Sequence, residues 1–227
     1  ISGGHLLVGG RDAKGNDSVV KKHLSSNDMY LHADLHGAPS CSLRSSQGFV
    51  IDQQKPAHIP DDIPAYRLAD KLEDVTLDED KLLEAATLAL CWSRAWAGGG
   101  AHGTVYSVKP SQVSKTANTG EFVGKGAFIV RGQRQWFKDL DVQIGVGIIA
   151  VNGVPLLMGG TPSTVKQICQ RYAIIAPGIT KKEQLANKIY KNTGLVTDDI
   201  LGVLPGAGQI IEDYGIFSAP KSIEEEE

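Results

Sequence analysis

The segment Asp28-Met29-Tyr30-Leu31-His32-Ala33-Asp34-Leu35-His36 alternates apolar and polar side chains from its second residue onward. A period of two is typical of a β-strand that buries one face. The polar face predicted by this register contains Tyr30, His32, Asp34 and His36. We therefore expect one strand face to present a phenol, two imidazoles and a carboxylate side by side.

On both sides of this strand, strand and helix patterns are mixed and do not alternate regularly. Apolar residues at helical spacing predict a helix over residues 78–97. Asn152-Gly153 predicts a two-residue hairpin within residues 142–158, and Thr161-Pro162 predicts the start of a helix. Residues 47–74 are rich in Pro and Asp, lack a sustained period, and are expected to form a long surface excursion. The mixture predicts an α+β fold with a largely antiparallel mixed sheet and flanking helices.

Length and composition limit the class of protein. A chain of 227 residues can bury a core without disulfides or metals. No apolar run is long enough for a membrane helix, and the N-terminus has no secretory signal, so we expect a cytoplasmic protein without a membrane partner. Three scattered cysteines favour a reducing compartment. The chain does not begin with Met, which indicates a piece of a longer protein.

The net charge of −3 argues against a nucleic-acid partner, but the charges are unevenly distributed. Residues 49–84 hold ten acids and four basic residues, so a protein-interaction module that uses this acidic segment is one open interpretation. Glu224–Glu227 add an acidic tail. Residues 103–139 hold six Lys or Arg residues against two acids, and a local field of this sign attracts an anionic partner.

The predicted polar face admits a second interpretation. Imidazole and carboxylate are good ligands for first-row metals, so His32, Asp34 and His36 on one face could hold an ion and support a metal-dependent hydrolase. A hydrogen-bonded polar face without metal is equally compatible with the spacing. A face that contacts RNA or phosphate is the third possibility.

A second cluster, Val113-Ser114-Lys115-Thr116, combines a lysine with two hydroxyls and can contact a phosphate. It is no Walker loop, because the required glycines and their spacing are missing. Tyr106, Trp136 and Phe137 lie near the basic residues in the sequence and are candidates for stacking on bases.

Several blocks of the chain together resemble a known family, the NFACT-R domain. The blocks are Gly9-Gly10-Arg11-Asp12-Ala13 with Asn16, Val20-Lys21-Lys22, residues 28–38, residues 108–116, Gly120-Glu121-Phe122 and Arg131-Gly132. The resemblance is dense over residues 3–137. From residue 140 onward it is looser and is similar to the extension of archaeal-type members.

The resemblance implies an RNA-binding module of the ribosome-associated quality control proteins called RqcH and NEMF. Such proteins act on stalled 50S or 60S subunits that carry peptidyl-tRNA, so tRNA and the large ribosomal subunit are the implied partners. The family's NFACT-N domain, helix-hairpin-helix and coiled coil are absent from this chain. We expect a module over residues 1–140 and an α+β extension over residues 141–227, packed on the module and ending in the acidic tail.

This interpretation assigns no catalytic residue, no metal and no cofactor. We expect residues 9–22 and 109–134 to form one basic face, with residues 49–84 and the glutamate tail away from it. The expected RNA contacts are Arg11, Lys14, Lys21, Lys22, Tyr30, His32, Asp34, His36, Lys109, Gln112, Ser114, Lys115, Thr116, Arg131 and Arg134.

Overall fold

A computed structural model of the chain describes residues 1–120 and 122–219. The helices are α1 (Ala13–Lys22), α2 (Glu79–Cys91), α3 (Arg94–Ala97), α4 (Pro162–Ile168), α5 (Lys182–Thr193) and α6 (Thr197–Val203). The strands are β1 (His5–Gly9), β2 (Met29–Ala33), β3 (Cys41–Ile51), β4 (Ala65–Ala69), β5 (His102–Val108), β6 (Val113–Ser114), β7 (Ile129–Val130), β8 (Gln135–Asp141), β9 (Ile144–Val151), β10 (Val154–Gly160), β11 (Tyr172–Thr180) and β12 (Gly208–Tyr214). The predicted α+β class with a mostly antiparallel mixed sheet is confirmed.

The chain divides into two compact units. Among the described residues, unit 1 comprises residues 1–49 and 69–142, and unit 2 comprises residues 50–68 and 143–219. The acidic segment 49–84 is thus divided between the two units, and its use as a protein-interaction surface stays a prediction. The acidic tail lies outside the described residues. The division into a module over residues 1–140 and a packed extension stays a prediction.

Unit 1 is built on an antiparallel sheet in the order β1, β3, β2, β5, β8. Leu31, Ala33 and Val105 on one face are fully buried, and α2 packs against β2, β5 and β8. Alternation along the strands places Tyr30 and Tyr106 on the opposite face. That face is covered by side chains from α1, from the residues just after it and from the small β6–β7 sheet, namely Val20, Leu24, Val113 and Val130.

Unit 2 has β9 as its central strand. β9 pairs antiparallel with β10 and β11, β11 pairs antiparallel with β12, and β4 runs parallel to the end of β9. The predicted hairpin is confirmed at Asn152 and Gly153, which both have positive φ angles (50° and 78°), as a tight turn of this kind requires. The predicted helix start at Thr161-Pro162 is also confirmed, because the Thr161 hydroxyl accepts a hydrogen bond from the Thr164 N–H.

Three predictions about elements are wrong. Residues 47–74 are no continuous excursion, since β3 runs to Ile51 and β4 follows at Ala65–Ala69. The helix predicted over residues 78–97 breaks at Trp92 and Ser93, where the Ser93 hydroxyl caps the short α3 by accepting the Ala95 N–H. The strand predicted through His36 stops at Ala33.

Candidate nucleic-acid interface

The first group of predicted site residues lies on and before α1. Asp12 caps this helix by accepting the Gly15 N–H, so Arg11 lies just before the cap. Lys14, Lys21 and Lys22 are exposed on the helix. Lys14 and Lys21 are seven residues apart, which places them on one face of α1 together with Asp17.

Asp17 joins this helix to the second predicted group. The Lys115 ammonium lies 2.9 Å from the Asp17 carboxylate, donates to the Gly124 carbonyl at 3.1 Å, and sits 4.6 Å from the centre of the Phe128 ring. The hydrogen bond from Lys115 is the main reason that the pKa of Asp17 is lowered from its ordinary value. Lys115 therefore ties the loop after β6 to α1, and much of its charge is already paired.

Asn16 makes a second tie at the same place. Its side-chain oxygen accepts the Ser40 N–H at 3.0 Å, and its amide nitrogen donates to the Gly126 carbonyl at 3.4 Å. Gly126 has a φ of 74°, and a Cβ there would lie 2.5 Å from the Cα of Ala13. The loop and the helix approach each other so closely that only glycine fits at position 126.

Gln112 organises the segment that contains Lys109. Its side-chain oxygen accepts the Lys109 N–H at 3.0 Å, and its side-chain nitrogen donates to the Arg131 and Gln133 carbonyls at 2.9 and 2.8 Å. These bonds connect the turn before β6 to the turn after β7. Gln112 is among the predicted RNA contacts, and its side-chain amide already binds the backbone of unit 1, so a contact with RNA stays a prediction.

The remaining predicted residues of this segment extend the connection. The Ser114 hydroxyl accepts the Thr116 N–H at 2.9 Å, and both terminal nitrogens of Arg131 donate to the Thr116 carbonyl at 3.3 Å. Contacts therefore run without interruption from α1 through Lys115 and Thr116 to Arg131. We call the five basic residues on these joined segments, Lys14, Lys21, Lys115, Arg131 and Arg134, the basic layer.

Beside the basic layer, aromatic rings form a row across three strands. His32, Tyr106 and Trp136 are direct cross-strand neighbours on β2, β5 and β8. Their ring centres are 5.8 Å and 5.4 Å apart, and Tyr30 stacks on His32 at 6.3 Å. The row runs from the buried Tyr30 to Trp136, which exposes 42% of its surface.

Arg134 connects the aromatic row to the basic layer. Its guanidinium lies 4.8 Å from the centre of the Tyr106 ring and 5.8 Å from that of Trp136, and it also donates to the Val130 carbonyl at 3.4 Å. Phe137, the third stacking candidate, is buried on the opposite face of the sheet. Arg134 thus brings a cation to the aromatic row, and the elements next to the other basic residues cover the same face of the sheet. Cations beside aromatic rings are typical of surfaces that bind nucleic acid.

The comparison with protein families agrees with this geometry. The family described as NFACT protein RNA binding domain matches residues 1–132, which include the basic layer except Arg134. The chain belongs to this family. The match confirms the resemblance seen in the sequence.

Several relatives of this NFACT RNA-binding domain are named as subunits of the ribosome quality control complex. The chain is 30% identical to the archaeal Rqc2 homologue aRqcH of Methanocaldococcus jannaschii over 92% of its own length and 27% of that protein. It is 33% identical to the ribosome quality control complex subunit NEMF of Homo sapiens over 64% of its length and 11% of NEMF. The chain therefore spans only a small part of these relatives.

One solved structure is also similar. The C-terminal part of the fibronectin/fibrinogen-binding protein from Streptococcus suis aligns with a TM-score of 0.40 at 15% identity, over 60% of this chain and 42% of that one. A likeness at this level carries no argument about fold or function.

The polar strand face predicted for this NFACT RNA-binding domain is corrected by the structure. Tyr30 and His32 do share a face, but Asp34 and His36 lie in the exposed turn after β2. Gly37, with a φ of 76°, belongs to the same turn. Within residues 1–120 and 122–219, no group of three His, Cys, Asp or Glu side chains is placed to hold a metal ion.

Burial also changes the expected role of two residues. Tyr30 is 2% exposed and its hydroxyl is hydrogen-bonded to Ser40, so it supports the aromatic row from below. Burial lowers the pKa of His32 from its ordinary 6.5, with weaker opposing effects from backbone hydrogen bonds at Ala33 and Ala38. The His32 ring is therefore neutral at neutral pH and adds no positive charge to the surface.

Sequence reasoning missed the ties that hold the interface together. Asp17 is not among the predicted site residues, and no local pattern shows that it pairs with Lys115. Arg94 on α3 was also missed. Its guanidinium lies 3.6 Å from where a Cβ on Gly37 would be, which places another cation beside the turn after β2.

In the part of the chain that is described, no helix is long and apolar enough to span a membrane.

Proposed function

We propose that this chain is the RNA-binding module of a ribosome-associated quality control factor. It holds tRNA or large-subunit ribosomal RNA through the basic layer. The observation that carries the proposal is the series of contacts from Asp17 to Lys115, Thr116 and Arg131, because it brings basic residues far apart in sequence onto one side of unit 1. Family membership supports the same conclusion.

The wider biological role is inferred from the relatives. Their names place them in ribosome quality control, although this chain spans 27% of the archaeal relative and 11% of NEMF. We propose that the module acts in the cytoplasm on stalled large subunits that carry peptidyl-tRNA. In this proposal it binds and positions RNA and catalyses no reaction itself.

The physical basis of binding is electrostatic. A protein with a net charge of −3 can bind a phosphate backbone only where its positive charges are concentrated. Each phosphate neutralised by Lys or Arg releases counterions, so the affinity falls as the salt concentration rises. The slope of log K against log salt is about −0.7 for each phosphate neutralised on a single strand and about −0.9 on a duplex.

The experiment measures the affinity of the chain for fluorescently labelled tRNA by anisotropy over a series of salt concentrations. The triple variant Lys14→Gln/Lys21→Gln/Arg131→Gln should reduce the slope by about two units and weaken binding to all RNA sequences alike. The matched control is Lys181→Gln/Lys188→Gln/Lys191→Gln, three exposed lysines at and on α5 in unit 2. The proposal would be contradicted if the two triple variants lost the same amount of tRNA affinity, or if binding did not depend on the salt concentration.

A further inference from the structure

Trp136 is the exposed end of the aromatic row. It exposes 42% of its surface, whereas Trp96 is 3% exposed and Trp92 is half-buried. Its neighbour Tyr106 meets it at an interplanar angle of 66°, an edge-on contact that does not cover a ring face by stacking. Part of the indole surface is thus accessible to a flat ligand.

The position of Trp136 is fixed before any ligand arrives. Backbone pairing holds Trp136 opposite Tyr106, and Tyr106 opposite His32. The indole packs against the Tyr106 ring, so it loses less conformational entropy when a ligand stacks on it than a ring without a neighbour would. This favours a preformed site over an adaptable one.

Arg134 gives the site its charge. Its guanidinium lies 4.8 Å from the centre of the Tyr106 ring and 5.8 Å from that of Trp136. Guanidinium N–H groups lie in the plane of the group and point away from its edges, where phosphate oxygens bind them. A cation therefore stands beside the indole, within reach of the phosphate of a nucleotide whose base stacks there.

We propose that Trp136 stacks on one unpaired base of the bound RNA while Arg134 contacts the adjoining phosphate. The inference rests on the proposed RNA-binding function and narrows it to RNA with an unpaired nucleotide, because the faces of a base inside a duplex are covered by its neighbours. Every base has a flat aromatic face, so this contact selects a conformation of RNA and not a sequence.

The test uses two probes at one salt concentration, an oligouridylate and a blunt RNA duplex with the same number of phosphates. Trp136→Ala should weaken binding of the oligouridylate by about 5- to 150-fold, the range that corresponds to loss of one base–aromatic stack. Binding of the duplex should be unchanged. Trp136→Phe keeps an aromatic ring, so it should bind the oligouridylate nearly as well as the parent chain and serves if the alanine variant does not fold.

Two further measurements complete the design. Tyr190→Ala removes an aromatic side chain that is 50% exposed in unit 2, and it should leave both affinities unchanged. Tryptophan fluorescence of the parent chain should be quenched by the oligouridylate, and Trp136→Phe should abolish that quenching.

The outcomes separate this inference from the proposed function. Salt-dependent binding that is insensitive to Trp136→Ala, or an equal loss for both probes, would overturn the stacking site and leave the proposed function standing. If the parent chain binds neither probe, both the stacking site and the proposed function are overturned.

Discussion

The Lys115 ammonium lies 2.9 Å from the Asp17 carboxylate, which joins the loop after β6 to α1. The same contact has two opposite consequences for function. It holds the two halves of the basic layer together, and it places a negative charge within that layer. The contributions of Asp17 to folding and to RNA binding should therefore have opposite signs.

Asp17→Asn should lower the melting temperature Tm and strengthen RNA binding at low salt. The reason is that the variant loses the ion pair that anchors the loop but releases the charge of Lys115, which makes the salt slope steeper by up to about one phosphate equivalent. Lys115→Gln should lower both Tm and RNA affinity. Thermal unfolding and anisotropy on the same samples provide the comparison, and a loss of RNA affinity in Asp17→Asn would contradict this view.

Gln112→Ala should destabilise unit 1 by about 1–2 kcal/mol. The variant loses three hydrogen bonds that connect two turns, and hydrogen bonds to water replace part of the stabilisation that they provide. Gln112→Ala should weaken RNA binding because the two turns lose their connection and become disordered. The cause should not be the loss of a direct contact between Gln112 and RNA. Amide hydrogen exchange should therefore become faster at Arg131, whose N–H donates to the Gln112 carbonyl at 3.0 Å. Gln133→Ala is the control, since only its backbone carbonyl is used. Unchanged exchange at Arg131 together with weaker RNA binding would show instead that Gln112 contacts RNA.

The pKa of His32 in the folded chain should lie below its ordinary value of 6.5, because burial penalises the charged ring. The unfolded chain then binds more protons than the folded chain at mildly acidic pH. The stability contributed by this site is present above about pH 6.5 and is lost as the pH falls towards the lowered pKa. NMR titration of the ring measures the pKa, and a value above 6.5 would contradict the description of His32.

His32→Asn should flatten the fall in stability between neutral and mildly acidic pH without abolishing it. Part of the fall should persist because the pKa of the buried His5 is lowered by burial as well. Chemical denaturation at a series of pH values provides the measurement. An unchanged pH profile in His32→Asn would mean that the His32 ring titrates in the same way in the folded and unfolded chains.

The elements that could be predicted from sequence are those with a strong local signal. The turn at Asn152-Gly153 needs two residues with positive φ angles, and few other pairs supply them. The start of α4 follows from a hydroxyl cap and a proline at the first helical position. The alternation from Met29 to Ala33 locates β2, and the family blocks indicated the RNA-binding domain.

The end of β2 could not be predicted, because the alternation of residue types continues past it. The chain turns after Ala33, Leu35 is 40% exposed, and Gly37 has a positive φ angle. A period-two pattern predicts which face a side chain occupies only as long as the strand continues. This is why the predicted row of His32, Asp34 and His36 does not exist in the structure.

The internal ties of the site could not be predicted either, for a different reason. Lys115 and Gln112 are polar residues near other basic residues, which is also the pattern of residues that contact phosphate. Only the fold shows that their partners lie within the protein, in α1 and in the turn after β7. Sequence reasoning therefore could not show that Lys115 and Gln112 also organise the protein itself, and their contact with RNA stays a prediction.

The most direct test of the central claim is a map of backbone amide chemical shifts during titration of the parent chain with tRNA. We predict that the changes cluster on α1, on residues 113–116 and on residues 131–136, and that α5 is unaffected. Changes centred on α5 or on residues 49–84, with the basic layer unaffected, would contradict the claim that this layer holds the RNA.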